Sequence, residues 1–441
     1  VNNVNKNDHL HRIVIVGGGA GGLELATMLG QSIGKQKKAS ITLVDAQRTH
    51  FWKPLLHEVA AGSLNAFEDE LCYLAQAKWN HFHFLLGRMT NLDKDNKTIE
   101  LAPICDDYGN EVVSRRQLEY DTLVLSVGST ANDFNTPGAP ENCLFLDNRE
   151  QAERIHTTLL NHYLHAQASG SAQSELNIAI IGAGATGVEL SAELHNAAIE
   201  LAHYGLDAIS PQNVKITLIE GAPRILPVLP ERISNSVHKQ LEKMGVTIMT
   251  GQLVSEIHQN SLVTLSKTTL KSDLSIWAAG IKAPGFLGKL GLETNRINQL
   301  VVRPTLQTTQ DDHIYAFGDC SSCTITLKNG SALTIPPRAQ AAHQQASLLA
   351  KSLKRVVAGN DPMNFTYKDY GSLISLSRFS AVGNLMGAVT GDMMVEGALA
   401  KLFYISLYRM HQMTLFGKVR TGALMLKDAL GKTTRPHLKL H

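Results

Sequence analysis

The 441-residue chain contains no run of 18 apolar residues, so no ordinary membrane-spanning helix is expected. Its opening stretch, VNNVNKNDHLHR, lacks the apolar segment of a secretory signal. Cysteine is scarce: Cys72, Cys105, Cys143, Cys320 and Cys323 make five, an odd number that implies no disulfide framework. No cluster of four sulfur ligands exists, so no zinc or iron centre is expected. These absences together lead to the expectation of a cytoplasmic or cytoplasm-facing protein. Acidic residues nearly vanish at one end: residues 401–441 hold eight Lys or Arg against Asp428 alone. The whole chain carries only +2, so the body before that tail is mildly acidic. Such asymmetry points to an anionic surface near the C-terminus. Nucleic acid is a poor fit, because no recognised binding module accompanies the basic tail. With 44% hydrophobic and 18% charged residues, the chain is not disordered, and its length suits two or three domains.

What is present starts with a glycine turn. HRIVIVGGGAGGLELATMLG runs from a β-branched stretch through Gly17, Gly19 and Gly22 into a helical pattern. Strand, GxGxxG and helix in that order form the context a dinucleotide site requires. Gly17 makes the tight turn, Gly19 removes bulk where a pyrophosphate approaches, and Gly22 lets helix and strand pack. The helix N-terminus offers free N–H groups to the phosphates. A second strand, ASITLVDAQ, ends at Asp45, an acid able to bind a ribose diol.

The pattern then recurs. LNIAIIGAGATGVELSAEL carries Gly182, Gly184 and Gly187, and the strand VKITLIE ends at Glu220. A carboxylate at that place accepts from the 2′-hydroxyl of NADH and repels the 2′-phosphate of NADPH. Arg224 lies near, in a segment that reads as a loop rather than a phosphate clamp. Two motifs argue for two dinucleotides, one a flavin and one a nicotinamide.

The strands DTLVLSVGS, reaching Gly128, and KSDLSIWAAGI hold matching places behind their own glycine motifs. HIYAFGD reads as a buried strand ending at Gly318 and Asp319, expected to return to the first unit. The expected fold is therefore α/β: two Rossmann-like dinucleotide-binding domains, the second inserted in the first, plus a C-terminal membrane-associating module. The expected bounds are 10–140 and 286–360 for the first, 150–285 for the second, and 361–441 for the C-terminal module. A long helix is signalled after Pro336 and Pro337.

GGGAGGLELA, FWKPLLHEVAAG, GAGATGVELSAEL with FGDCSS, and RAQAAHQQA stand in one chain in this order. In them the sequence resembles the bacterial type II NADH:quinone oxidoreductases, the non-pumping respiratory NADH dehydrogenases, over almost its whole length. The resemblance implies non-covalent FAD in the first domain, NADH in the second, and a membrane quinone as electron acceptor. It implies that Asp319 contacts the flavin side and that Lys53 belongs to a segment lining the flavin pocket. Gln340 and Gln344 would lie near isoalloxazine and quinone, and Glu189 between nicotinamide and quinone chemistry. It further implies a peripheral protein on the cytoplasmic face of the bacterial inner membrane, and the family often forms homodimers.

The residues themselves are compatible. Gln340 and Gln344 are i and i+4 and share one helical face. Glu24 sits as far past its first glycine as Glu189 does past Gly182, which weakens any unique claim for Glu189. His343 reads as a bystander, with a proton relay as the alternative. Cys320 and Cys323 form a CxxC at a strand end and read as small structural residues, not a flavin-facing redox pair. A soluble NADH-dependent flavin or ferredoxin reductase, and a non-catalytic redox-sensing nucleotide binder, are the rival readings.

KLFYISLYRMHQMTLFGKVRTG, from Lys401 to Gly422, mixes apolar and basic residues. Read as a helix, it puts Leu399, Leu402, Phe403 and Met410 near one side, widened by Leu407 and Tyr408, with Lys401 and Arg409 free to snorkel toward headgroups. This is the profile of interfacial attachment to anionic phospholipid. Removing residues 392–441 is expected to release the protein from membranes and, if the remainder folds, to leave FAD binding intact.

Overall fold

The computed structural model describes residues 10–169, 174–327, 329–376, 381–387, 391–396, 398–431 and 438–439. The chain begins with β1 (His11–Val16), α1 (Ala20–Leu29), β2 (Ala39–Asp45), β3 (His83–Leu86) and β4 (Thr122–Leu125). It continues through β5 (Leu144–Phe145), β6 (Leu176–Ile181), α2 (Ala185–His203), β7 (Val214–Ile219), β8 (Thr247–Met249) and β9 (Leu274–Trp277). Then come β10 (Ile314–Ala316) and α3 (Ala339–Val357). Three antiparallel strands follow, β11 (Gly371–Ser375), β12 (Ala381–Gly387) and β13 (Gly391–Glu396), and last α4 (Ala398–Gly431).

Two parallel five-stranded sheets organise these elements, in the orders β10-β4-β1-β2-β3 and β5-β9-β6-β7-β8. The two sheets match strand for strand around their central β1 and β6. Their glycine-motif strands are buried on both faces, as the unbroken IVIV and IAII runs require. β10 returns to the first sheet beside β4 after the second sheet has been built, so the second unit is inserted in the first. β9 pairs with β6 as β4 pairs with β1, as their sequence positions suggest.

Helix α3 crosses α1 closely because Gly21 has no side chain. A Cβ there would meet the Phe317 ring at 2.5 Å and the Ala342 carbonyl at 3.3 Å. One turn further along α1, this approach brings Glu24 against α3.

The C-terminal helix corrects one expectation. At Gly417 the backbone turns to φ 74° and ψ 170°, which breaks α4 in two. Arg409 reaches Asp428 across that break at 2.7 Å. In a straight helix the 19-residue separation would span about 28 Å, so the halves form a hairpin. Arg409 also donates to Gln412 at 2.6 Å, so it holds the hairpin rather than snorkelling. His411, Gln412 and Leu415 are buried, and Leu415 joins the core under the first sheet. Met410, before the kink, is exposed, and a further exposed apolar stripe lies after it, at Val419, Ala423, Leu426 and Leu430, spaced i, i+4, i+7 and i+11. The side chains of Leu399, Lys401, Leu402, Phe403 and Leu407, and most of the basic end KTTRPHLKLH, lie outside the described residues. Among the described residues, no helix is long and apolar enough to cross a membrane.

Candidate active site

The two glycine turns are built alike. Gly17 and Gly182 take φ near 101° and 102°, a left-handed conformation open to glycine. A Cβ on Gly22 would lie 1.8 Å from the Gly17 carbonyl, and one on Gly187 1.9 Å from that of Gly182. Both positions therefore enforce close packing of helix on strand. Gly19 and Gly184 differ: a Cβ on either would meet no atom within 4 Å. Their bareness serves no packing need inside the protein and leaves room for a ligand backed by helix N–H groups.

The strand-end acids repeat the same geometry. Asp45 accepts from the N–H of Gly18 at 2.6 Å and of Gln47 at 2.7 Å. Glu220 accepts from the N–H of Ala183 at 2.7 Å and of Ala222 at 2.8 Å. Each carboxylate is thus fixed at the lip of its own turn. Arg224 donates to the carbonyls of Leu226 and Pro227, so its guanidinium is spent on its own loop.

Four of the residues expected on the flavin side converge. The Lys53 ammonium donates to the Ser129 carbonyl at 2.9 Å, and the Ser129 hydroxyl donates to Asp319 at 2.9 Å. Gly128 and Gly318 turn the backbone there with φ 70° and 72°. Gln345, which carried no sequence signal, holds this corner by accepting from the Gly318 N–H at 2.9 Å.

Between the two nucleotide units and the C-terminal strands lies a cavity of about 1860 Å³. Single-ligand pockets run to about 1,000 Å³, so it has room for more than one reactant. Gly184 and Ala185 of the second turn line one wall; Gln340, His343 and Gln344 of α3 line another. Glu189 and Glu193 enter from α2. Glu189 accepts from the Ser375 N–H at 2.9 Å and lies 3.6 Å from His57, so it ties α2 to β11. Glu193 accepts from the Ser63 hydroxyl at 3.1 Å.

The glutamine pair faces the cavity, as its spacing requires, but its amides are engaged within the chain. Gln340 donates to Asp369 and Gly371 and accepts from the Tyr370 N–H. Gln344 donates to the Lys368 carbonyl at 2.8 Å and accepts from its N–H at 3.0 Å. The pair thereby clamps residues 368–371 over the cavity wall.

His343 is not a bystander. Its Nδ1 lies 2.6 Å from Glu24 Oε2, and His411 Nδ1 lies 2.7 Å from the other oxygen. Glu24, only 1% exposed, is thus held between two imidazoles. Burial works to raise its pKa, but the hydrogen bonds from His343 and His411 outweigh it and hold the carboxyl below its ordinary range. The bond to Glu24 raises His343 above its ordinary value against the effect of burial. Glu24 sits in an otherwise apolar helix, LELATML; a buried acid must find partners, and that was the available signal.

Cys320 and Cys323 are buried, and burial pushes their thiols up to about 12 and about 11. Neither is a thiolate near neutral pH, which suits a packing role. Among the described residues no His, Cys, Asp and Glu cluster has a metal-holding arrangement.

Comparison with known proteins places this architecture. Residues 11–346 match the pyridine nucleotide-disulphide oxidoreductase family. The chain is 43% identical to the type II NADH:quinone oxidoreductase of Haemophilus influenzae, over 98% of this chain and all of that one. It is 29% identical to the protein of that name from Staphylococcus aureus strain NCTC 8325, over 85% of this chain and 90% of that one. In fold it resembles the NDH2 of Plasmodium falciparum solved with NADH, with a TM-score of 0.81 and 20% identity. That match covers 98% of this chain and the whole of the other.

Proposed function

The chain belongs to the pyridine nucleotide-disulphide oxidoreductase family, among its type II NADH:quinone oxidoreductases, and we propose that its large cavity is where NADH and quinone are brought to FAD. The protein oxidises NADH and reduces a membrane quinone. FAD, when bound, supplies a carrier that accepts a hydride and can release electrons singly or in pairs. The observation that carries the reading is the single cavity shared by the second nucleotide turn and the glutamine helix.

Residue roles follow from position. Gly17, Gly19 and Gly22 shape the turn for the FAD pyrophosphate, and Asp45 holds its ribose. Lys53, Gly128, Gly318 and Asp319 build the corner that receives the rest of that cofactor. Gly182, Gly184 and Gly187 receive the NADH pyrophosphate, and Glu220 selects a free ribose over a phosphorylated one. Glu189 fixes the wall between the NADH side and β11. Gln340 and Gln344 act as positioning residues, holding residues 368–371 where the quinone head enters. The division proposed is 10–140 with 286–360 for the FAD unit, 150–285 for the NADH unit and 361–441 for the C-terminal module; β5 (Leu144–Phe145), which pairs with β9, extends the NADH unit back before residue 150.

The helix after Gly417 is the attachment surface. Val419 is 88% and Leu430 68% exposed, and Lys418 and Lys427 stand beside them. Trp79, itself half exposed, packs its ring 5.4 Å from the Arg420 guanidinium and extends the patch. Apolar insertion plus cationic flanks suit an anionic phospholipid surface. Type II NADH dehydrogenases are membrane-associated; for this chain we place the contact on the cytoplasmic face, where NADH is available. The exposed stripe also offers a face for a second copy of the chain.

The reading is tested by following NADH absorbance with purified protein and a short-chain quinone. NADH loss that stays quinone-independent, or that requires a ferredoxin, would reject it.

A further inference from the structure

We propose that His343 is a catalytic proton donor to the quinone, set in place by Glu24, with His411 as the carboxylate's second clamp. The inference rests on the quinone-reductase reading and deepens it. Reducing a quinone to a quinol takes two electrons and two protons. NADH supplies both electrons and one hydrogen, so one further proton must reach the quinone from the protein or through it.

The geometry singles out one group. Tyr73 donates its hydroxyl proton to the Gly18 carbonyl at 2.7 Å, and His50 Nδ1 lies 2.9 Å from the same oxygen. A carbonyl only accepts, so His50 carries its proton on Nδ1. Burial, followed by the charge of His411, lowers the His50 pKa to about 3, so its Nε2 is a bare acceptor. His411 Nε2, 3.1 Å away, must then donate to it. With Glu24 ionised, His411 donates through both nitrogens and is fully committed. The Trp52 ring, 4.3 Å from its own, closes that side.

His343 differs from His411 in one respect. Both rings border the cavity and both Nδ1 atoms bind Glu24, but the His343 side chain is 36% exposed where that of His411 is 1%, so His343 is the ring open to a reactant. Glu24 on α1, His411 on α4 and, behind them, His50 and Tyr73 are the titratable groups packed around the pair; Glu189 and Glu193 line the same cavity from α2. In the transfer, the N–H bond at His343 Nε2 breaks and an O–H bond forms on the quinone oxygen as the electron pair arrives. His343 is left neutral, with the proton on its Nδ1 still donated to the Glu24 carboxylate, and it regains a proton from water entering the cavity. Glu24 stays ionised throughout, which is what its two imidazole donors ensure.

The test separates the half-reactions. Holoenzyme is reduced anaerobically with NADH and then mixed with a soluble quinone across neutral and alkaline pH. His343→Gln should slow reoxidation by about 100-fold, the low end for general acid catalysis, and leave reduction by NADH within about twofold. It should also abolish the fall in reoxidation rate at alkaline pH, and added imidazole should partly restore His343→Ala. In oxidised holoenzyme labelled with 15N-histidine, Glu24→Gln should lower the pH at which the His343 ring deprotonates. Reoxidation unchanged in rate and pH profile, or both half-reactions slowed alike, would overturn the assignment. An unmoved His343 titration would overturn the role of Glu24. A wild-type enzyme that NADH reduces but quinone does not reoxidise would instead defeat the underlying reading.

Discussion

The Glu220 carboxylate accepts a hydrogen bond from the Ala183 N–H at 2.7 Å, at the lip of the second glycine turn. Asp45 stands in the same relation to Gly18 in the first turn, at 2.6 Å. Each acid is oriented by backbone before any ligand arrives, so a ribose binds without reorganising it. Glu220→Ala should raise the KM for NADH roughly tenfold, a loss of about 1.4 kcal/mol, with kcat little changed. The preference for NADH over NADPH should shrink with it. Steady-state kinetics with both nucleotides check this; an unchanged KM would remove Glu220 from the ribose site.

Gln344 holds Lys368 through two hydrogen bonds, one in each direction. At about 1 kcal/mol each, their loss would release Lys368 and loosen that end of the clamp, while Gln340 still holds residues 369–371. Gln344→Leu should therefore slow quinone reduction by about tenfold while reduction by NADH stays near normal. Stopped-flow measurement of the separate half-reactions distinguishes this from general damage, which would slow both.

Attachment is expected to reside after the kink. Because His411 and Leu415 are buried in the body, cutting away residues 392–441 would strip core groups, and intact FAD binding is no longer expected of that truncation. Val419→Glu with Leu426→Glu and Leu430→Glu leaves the core alone. This triple variant should lose binding to anionic lipid vesicles in sedimentation assays while keeping activity with a soluble quinone. Wild-type binding should weaken with salt, since Lys418 and Lys427 contribute about 1 kcal/mol each at an anionic surface. Full vesicle binding by the variant would reject the stripe as the attachment surface.

The sequence made local features legible and hid the distant ones. Gly17, Gly22, Gly182 and Gly187 are readable because the motif's spacing is the cause of its geometry. Asp45 and Glu220 are readable because a strand end fixes where the acid points. Glu24 precedes His343 by 319 residues and His411 by 387, and only the crossing of α1, α3 and α4 unites them. The face of α3 bearing Gln340 and Gln344 was legible, but not that residues 368–371 would saturate their amides. In α4 the helical period was readable but the break at Gly417 was not, and across it Leu415 is buried while Val419 is exposed.

Cys320 and Cys323 are expected to be chemically silent. Thiols raised to about 12 and about 11 stay protonated in neutral buffer. Cys320→Ala with Cys323→Ala should retain NADH:quinone activity and lose roughly 1 kcal/mol of stability per site from lost packing. Alkylation of the folded protein near pH 8 should spare both. Loss of reduction by NADH in the double variant would reopen a redox role for the pair.

His50 makes the fold acid-sensitive. Its pKa is near 3 when folded and near 6.5 when free, so the unfolded chain binds the extra proton between those values. Stability should therefore fall as pH drops from about 6.5 toward 3. His50→Gln should flatten that slope in denaturant titrations repeated at several pH values. An equal slope in both proteins would mean that His50 is not neutral in the fold.

The flavin spectrum offers the most direct measurement of the whole account. Purified holoenzyme, mixed anaerobically with NADH and then with a soluble quinone, should lose its yellow absorbance in the first step and recover it in the second. The recovered enzyme should have produced one quinol per NADH consumed. Bleaching by NADH with no recovery on adding quinone would contradict the central claim.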